Sequence, residues 1–336
     1  MNPLFALFFS LSSAAGGTYL GQSIALAVAV SWTVCALLSE TVSRRLGAHV
    51  VNVLRMVLSL LFIGALLWVC TGSPLPPRAD ATTWGWLLAS GLVGYVFGDY
   101  CLFNAYLLIG SRFGQLFMTI APAVSAVAGW LLLGEQLSAQ ALLGMAVTMT
   151  GIAVSILGRG APNEEGEGRR RRKVRLNLPT RGVLLGIGAG VGQGLGLTLS
   201  AVGLKHYAAV WTVAKVGASM AFLLPFAATQ MRAVAGLPGF LLLLFLAGKG
   251  GALRRACTDG RGWLLMGATV VFGPFVGVSL SLMATQYTST GVAMTIMSLS
   301  PVLILWPAHV LFGQRVTRRE VLGALISVAG VALFFV

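Results

Sequence analysis

Apolar runs of about twenty residues, the length that crosses the hydrocarbon core of a bilayer, succeed one another along most of this 336-residue chain. They predict ten helical spans, at 20–38, 50–70, 84–107, 113–133, 138–158, 182–203, 209–230, 262–285, 290–312 and 318–335. One long stretch is polar, RGAPNEEGEGRRRRKVRLNLPTR at 159–181. It reads as a basic hydrophilic linker between a first unit, 1–158, and a second, 182–336, each with five spans. Residues 1–19 read as an extension of the first helix. Leu4–Ser13 is apolar, but no basic residue precedes it and no strong cleavage site follows, which argues against a leader. Residues 231–261 read as an insertion. Arg55 to Trp86 is 31 residues whereas Lys215 to Trp263 is 48, an excess of 17 in the second unit. The insertion contains GFLLLLFLAG, too short to span and flanked by Arg232 and Lys249. An interfacial or re-entrant piece is the expectation.

The two units repeat one another. Pro122 and Pro301 are 179 residues apart, and the same interval separates Gly134 from Gly313, Gly144 from Gly323 and Gly151 from Gly330. No gap is needed over 111–153 and 290–332. Two apolar helices joined by a short Gly-x-x-[LV]-[ST] turn therefore occur once per half. Duplicated helical hairpins in an apolar chain are the mark of a repeat-built carrier, with its substrate site where the repeats meet.

Composition agrees. Apolar residues are 57% and charged residues 10% of the chain, with mean hydropathy +0.87, where a soluble domain carries roughly 25% charged residues. The 43 glycines suit close approach of helices in lipid. The four cysteines, Cys35, Cys70, Cys101 and Cys257, have neither paired nor metal-ligand spacing and read as packing residues. The net charge of +14 sits in loops, which points to membrane anchoring and excludes the basic face a nucleic-acid binder needs. Loops after the odd-numbered spans carry nineteen Lys and Arg; those after the even-numbered spans carry two, Arg78 and Lys205. The positive-inside rule then places the odd loops in the cytoplasm and both termini outside. An odd number of spans per half makes the repeats cross in opposite senses. The expected class is an all-α polytopic membrane protein of ten transmembrane helices in two inverted five-helix repeats.

Each half ends in P-x(11)-G-[EQ]-x-[LV]-[ST]-x(5)-G-x(6)-G, within AYLLIGSRFGQLFMTIAPAVSAVAGWLLLGEQLS and ATQYTSTGVAMTIMSLSPVLILWPAHVLFGQRVT. This architecture resembles the EamA-type branch of the drug/metabolite transporter (DMT) superfamily, over roughly 20–158 and 182–335. The resemblance implies a secondary carrier of small metabolites such as amino acids, amines or drugs, and it implies cytoplasmic termini, against the charge count. The second repeat departs from the first in having Gln314 where the first has Glu135.

Two basic residues fall inside spans, Arg55 and Lys215, and one acid lies well inside, Asp99 in GYVFGDYCLFNAY. A charge at mid-bilayer costs about 2.5–3.5 kcal/mol on insertion scales, so it faces a cavity or a partner. Asp99 reads either as a proton- or cation-coupling carboxylate and counter-charge to a substrate amine, or as a structural partner of Arg55 or Lys215. Arg55 and Lys215 either clamp a substrate carboxylate or snorkel to the interface. Pro122 and Pro301 bend their helices and read as paired hinges. Trp32, Tyr95, Tyr100, Asn104, Gln115, Gln193, Ser298 and Trp306 complete the candidate binding set, with Tyr106 and His309 beside it. Tyr95 and Asp99 share a face, as do Tyr100 and Asn104. Trp84, Trp86 and Trp263 read as interfacial anchors. Glu135 reads as structural, and Arg169–Lys173 as a contact for anionic lipid headgroups.

The expected activity is secondary active transport, with export from a bacterial inner membrane as the direction. The alternatives are an intramembrane lipid-modifying enzyme or a passive channel or scaffold. The chain carries no Asp-rich metal motif, no Gly-x-Ser-x-Gly elbow, no His/Cys cluster at metal spacing and no phosphate-binding loop. No enzymatic activity, cofactor or metal is expected. The expected partners are a small-molecule substrate, membrane lipid and a coupling proton or cation, and the assembly is a monomer or homodimer.

Overall fold

The computed structural model describes residues 19–102, 104–105, 108–109, 117–158, 179–213, 218–256, 259–303, 307 and 317–335, some of them by their backbone alone. Every regular element among them is helical. In the first repeat, α1 is Leu20–Leu46, α2 is Ala48–Thr71, and α3 runs Ala81–Gly91 and then as a π-helix over Leu92–Asp99. Next come α4, Ile120–Leu133, and α5, Ala139–Gly158. In the second repeat, α6 is Thr180–Val213 and α7 is Leu224–Leu246. α8 runs Gly260–Val270, then as a π-helix over Val271–Val278, then Ser279–Ala284. α9 is Thr290–Met297 and α10 is Arg318–Ala332. Among the described residues, five stretches are long and apolar enough to cross a membrane: Leu20–Ser43, His49–Thr71, Thr180–Trp211, Ala221–Leu246 and Gly260–Ala284. Ile120–Leu133 and Ala139–Ser155 are shorter apolar helices.

The recurring turn now has a physical reading. Gly134 sits at φ +68° and ends α4 in a left-handed conformation that a side chain would strain. Ser138 then accepts the Ala141 N–H at 3.1 Å at the start of α5, and Thr317 with Glu320 forms a capping box at the start of α10. The Ser/Thr of the motif is thus the N-cap of the fifth helix in each half.

Helix contacts come in swapped pairs. α3 packs on α6 as α1 packs on α8; α4 packs on α6 as α1 packs on α9; and α2 meets α7 while α5 meets α10. Equivalent helices run antiparallel. Along α5 and α10, Gly144 lies against Gly330, Gly151 against Ser327, and Gly323 against Ser155. Along α2 and α7, Met56 lies against Gly236 and Gly64 against Gln230. The loop ends obey the same two-fold. Asp80 caps α3 and lies 3.0 Å from Nε2 of His206 near the end of α6. Asp259 caps α8 and pairs with Arg45 near the end of α1.

The second unit needs a correction. Residues 231–261 are not an interfacial insertion, since α7 runs straight through Leu224–Leu246. α6 continues to Val213, so no helix begins at 209. Residues 72–80 link α2 to α3 and 247–259 link α7 to α8, nine against thirteen, so the excess in the linker is four, and the longer linker carries a helix of nearly two turns at Gly250–Ala256. Lys215 lies outside the described residues. Among the described residues, the cation within an apolar span of the second repeat is Arg232, the ninth residue of α7, as Arg55 is the eighth of α2.

Candidate functional site

The site is built on the π-helical turn of α3. Its glycines let α6 come close. A Cβ on Gly196 would lie 2.6 Å from Gly94 Cα, and one on Gly192 would lie 2.7 Å from Gly98 Cα. No side chain could stand between these backbones. Ser90 Oγ, one turn away, donates to Gly196 O at 2.7 Å, which holds the crossing together where lipid offers no competing partner. The second repeat builds the same crossing from Gly273 and Gly277, at matching places in its own π-helix, against Cys35 and Trp32 of α1. Extra-residue turns of this type leave carbonyls imperfectly paired and are frequent at functional sites.

Close approach of α6 delivers Gln193 to Asp99. The Gln193 amide Nε2 donates to Asp99 Oδ1 at 2.8 Å and to Gly94 O at 3.2 Å. Arg55 of α2 donates through Nη2 to Asp99 Oδ2. Asp99 is 7% exposed and Tyr95, one turn before it, 6%. The Arg232 guanidinium stacks 4.6 Å over the Tyr95 ring and is 4% exposed. Five helices therefore converge on one buried polar group, since Cys35 of α1 also lies within electrostatic range of Arg55 and Asp99. The Asp99–Gln193 hydrogen bond crosses from the first repeat to the second.

Of the expected residues, Arg55, Tyr95, Asp99 and Gln193 come together. Arg55 does not snorkel; its side chain is 18% exposed and paired. Tyr100 points away and is exposed, and Asn104 Nδ2 donates back to Tyr100 O at 2.8 Å. Ser298 donates within its own helix, to Met294 O at 2.8 Å. Trp32 packs against Gly277. Gln115, Trp306, Lys215, Tyr106 and His309 lie outside the described residues. Pro122 follows a break at Thr119 and Pro301 a break at Ser298–Leu299, so the helix is interrupted just before each proline in both halves. Arg232 is the residue that sequence reasoning missed. Its signal was Met-Arg-Ala-Val at 231–234 answering Leu-Arg-Met-Val at 54–57.

A second set crosses the seam at the end of α4. The Glu135 carboxylate accepts the Thr290 N–H at 2.9 and 3.1 Å and the Thr290 hydroxyl at 2.8 Å. It therefore caps α9 of the other repeat, where an anion meets the positive end of the helix, while Ser138 caps α5. Two clefts, of about 460 and 210 Å³, lie away from the Asp99 group; the larger runs between α2 and α7 beside Trp68, Trp84 and Gln230.

The sequence matches the model of the EamA-like transporter family twice, over 19–157 and 180–336. The chain belongs to the EamA-like transporter family. This EamA-like protein is an integral, multi-pass membrane protein, and its two matched segments coincide with the two repeats. Among solved structures, 28 chains match. One, titled only "Crystal structure of protein", superposes with TM-score 0.62 at 17% identity, covering 93% of this chain and 95% of its own; at that identity it speaks for the fold alone. No curated protein matches the sequence.

Proposed function

We propose that this EamA-like protein is a secondary carrier that moves a small metabolite by alternating access, as an exporter in a bacterial cytoplasmic membrane. Two inverted repeats, crossing the bilayer ten times, rock about the seam that α2, α3, α6 and α7 form. The observation that carries this reading is the buried Arg55–Asp99–Gln193 group at that seam, in a fold whose equivalent helices run antiparallel. Asp99 is bonded on both sides: to Arg55 within its own repeat and to Gln193 across the seam. A proton or ligand on Asp99 would weaken the Arg55 ion pair and compete for the oxygen that Gln193 holds, and so couple occupancy to the fit between halves. Pro122 and Pro301 serve as the hinges, and neither repeat acts as a catalyst.

The test is counterflow in proteoliposomes. The expected result is saturable uptake driven by internal unlabelled solute, abolished or uncoupled from the proton gradient in Asp99→Asn with expression retained and the melting temperature lowered, since Arg55 loses its carboxylate. Linear, non-saturable flux would indicate a channel, turnover of a lipid substrate an enzyme, and normal proton-coupled uptake by Asp99→Asn would remove Asp99 from the mechanism.

A further inference from the structure

We infer that Arg232 is the receptor for a net-negative solute, so that the cargo is a small organic anion bearing a carboxylate-sized oxyanion. The inference rests on the carrier reading above and adds the substrate class to it.

The first observation is charge. The buried group holds two guanidinium cations, Arg55 and Arg232, against one carboxylate, Asp99, and Arg55 already uses that carboxylate. The repeats explain the excess. Both keep an arginine early in their second helix. The eighth residue of the first π-helix is Asp99, but the eighth of the second is Val278. The second repeat has kept the cation and lacks the acid. Asp80, Asp259, Glu135 and Glu320 are committed elsewhere, the first two to His206 and Arg45, the third to Thr290 and the last to the α10 cap.

The second observation is hydrogen-bonding capacity. Arg55 Nε, Arg232 Nε and the Tyr95 hydroxyl are all buried without a partner. All three can donate, the Tyr95 hydroxyl being able to accept as well, while Asn52 Oδ1 on α2 and Gln230 Oε1 on α7 are buried acceptors without a partner. Tyr95 lies within electrostatic range of both arginines and forms the platform beneath Arg232. A surplus of buried donors around a surplus positive charge is the imprint of an anion with several acceptor oxygens. Guanidinium suits this role because its planar fork meets two oxygens at once and it stays charged when buried. Gly94 makes room for the Arg232 fork itself, since a Cβ there would stand 3.0 Å from Nη2. A cationic amine would find Asp99, the one acid of the group among the described residues, occupied and face Arg232 at close range.

The experiment is thermal stabilisation of the full-length detergent-purified protein by propionate and succinate, each against its amide, with alanine and ethylamine alongside. The anions are expected to raise the melting temperature, the amides and ethylamine to leave it unchanged, and alanine to act more weakly than propionate. Arg232→Gln should weaken anion binding about ten- to hundredfold, the worth of a hydrogen bond to a charged group, and Arg232→Lys should retain part of the response. Should Arg232→Gln not fold, Tyr95→Phe and the wild-type preference for acid over amide still decide. Equal stabilisation by acids and amides, a response to amines alone, or an undiminished anion response in folded Arg232→Gln each overturns the inference. Counterflow of an amine with no anion response would leave the carrier standing and sink only the anion receptor.

Discussion

Asp80 and Asp259 do the same work at opposite faces, and their chemistry differs by one partner. The Asp80 carboxylate accepts the Thr83 N–H at 3.0 Å and lies beside His206. The bond to Thr83, with His206 behind it, holds its pKa down at about 2. A carboxyl depressed in the folded state stabilises the fold above the ordinary carboxylate range and loses that contribution as pH falls towards about 2. Asp80→Asn should therefore melt below the wild type at pH 7 and converge with it near pH 2, in a thermal unfolding series across that window. An unchanged gap at pH 2 would assign the loss to geometry and not to charge. Within the membrane the decisive residues are fewer. Asp99 was legible because a lone acid in an apolar span has few innocent explanations. Arg232 was not, because an arginine beside an apolar stretch looks like the end of a helix. The likeness of 231–234 to 54–57 marks it, and its neighbour Tyr95 and the convergence of α7 on α3 place it in the interior.

At the scale of elements, close contact between small residues carries the packing. A Cβ on Gly151 would lie 2.4 Å from Ser327 N and 2.7 Å from Gly323 O, both backbone atoms that cannot step aside. Gly151→Ala should cost about 1–3 kcal/mol as an overpacked contact, read as a lowered unfolding midpoint in detergent. Gly85→Ala, which meets nothing within 4 Å on α3, should be neutral or slightly stabilising. Equal effects at the two sites would mean that α5 and α10 do not pack as described. The repeat, its turn and the fifth-helix caps were readable because they depend on local chemistry: a left-handed glycine, then a hydroxyl acceptor. Helix 7 was not, since Lys205 and His206 look like a loop between two spans but lie within α6, which runs on to Val213. The i, i+4 spacing of Tyr100 and Asn104 is kept, as the Asn104 Nδ2 bond to Tyr100 O shows, but Tyr100 is exposed and the pair stands apart from the Asp99 group.

The two halves pack along their whole seam, the most extensive helix contacts each joining one repeat to the other, and a few polar bonds mark points along it. Gln193 meets Asp99 in the middle. At the face bearing residues 134–138 and 285–289, Glu135 of α4 holds the start of α9. If the halves rock, that staple must open once in every cycle, because the proposed binding group lies deeper in the seam. A covalent link placed there tests this directly. Glu135→Cys and Thr290→Cys in a cysteine-free background, reconstituted and oxidised, should stop counterflow, and reduction should restore it. Full counterflow with the crosslink closed would contradict a carrier whose halves separate at this face.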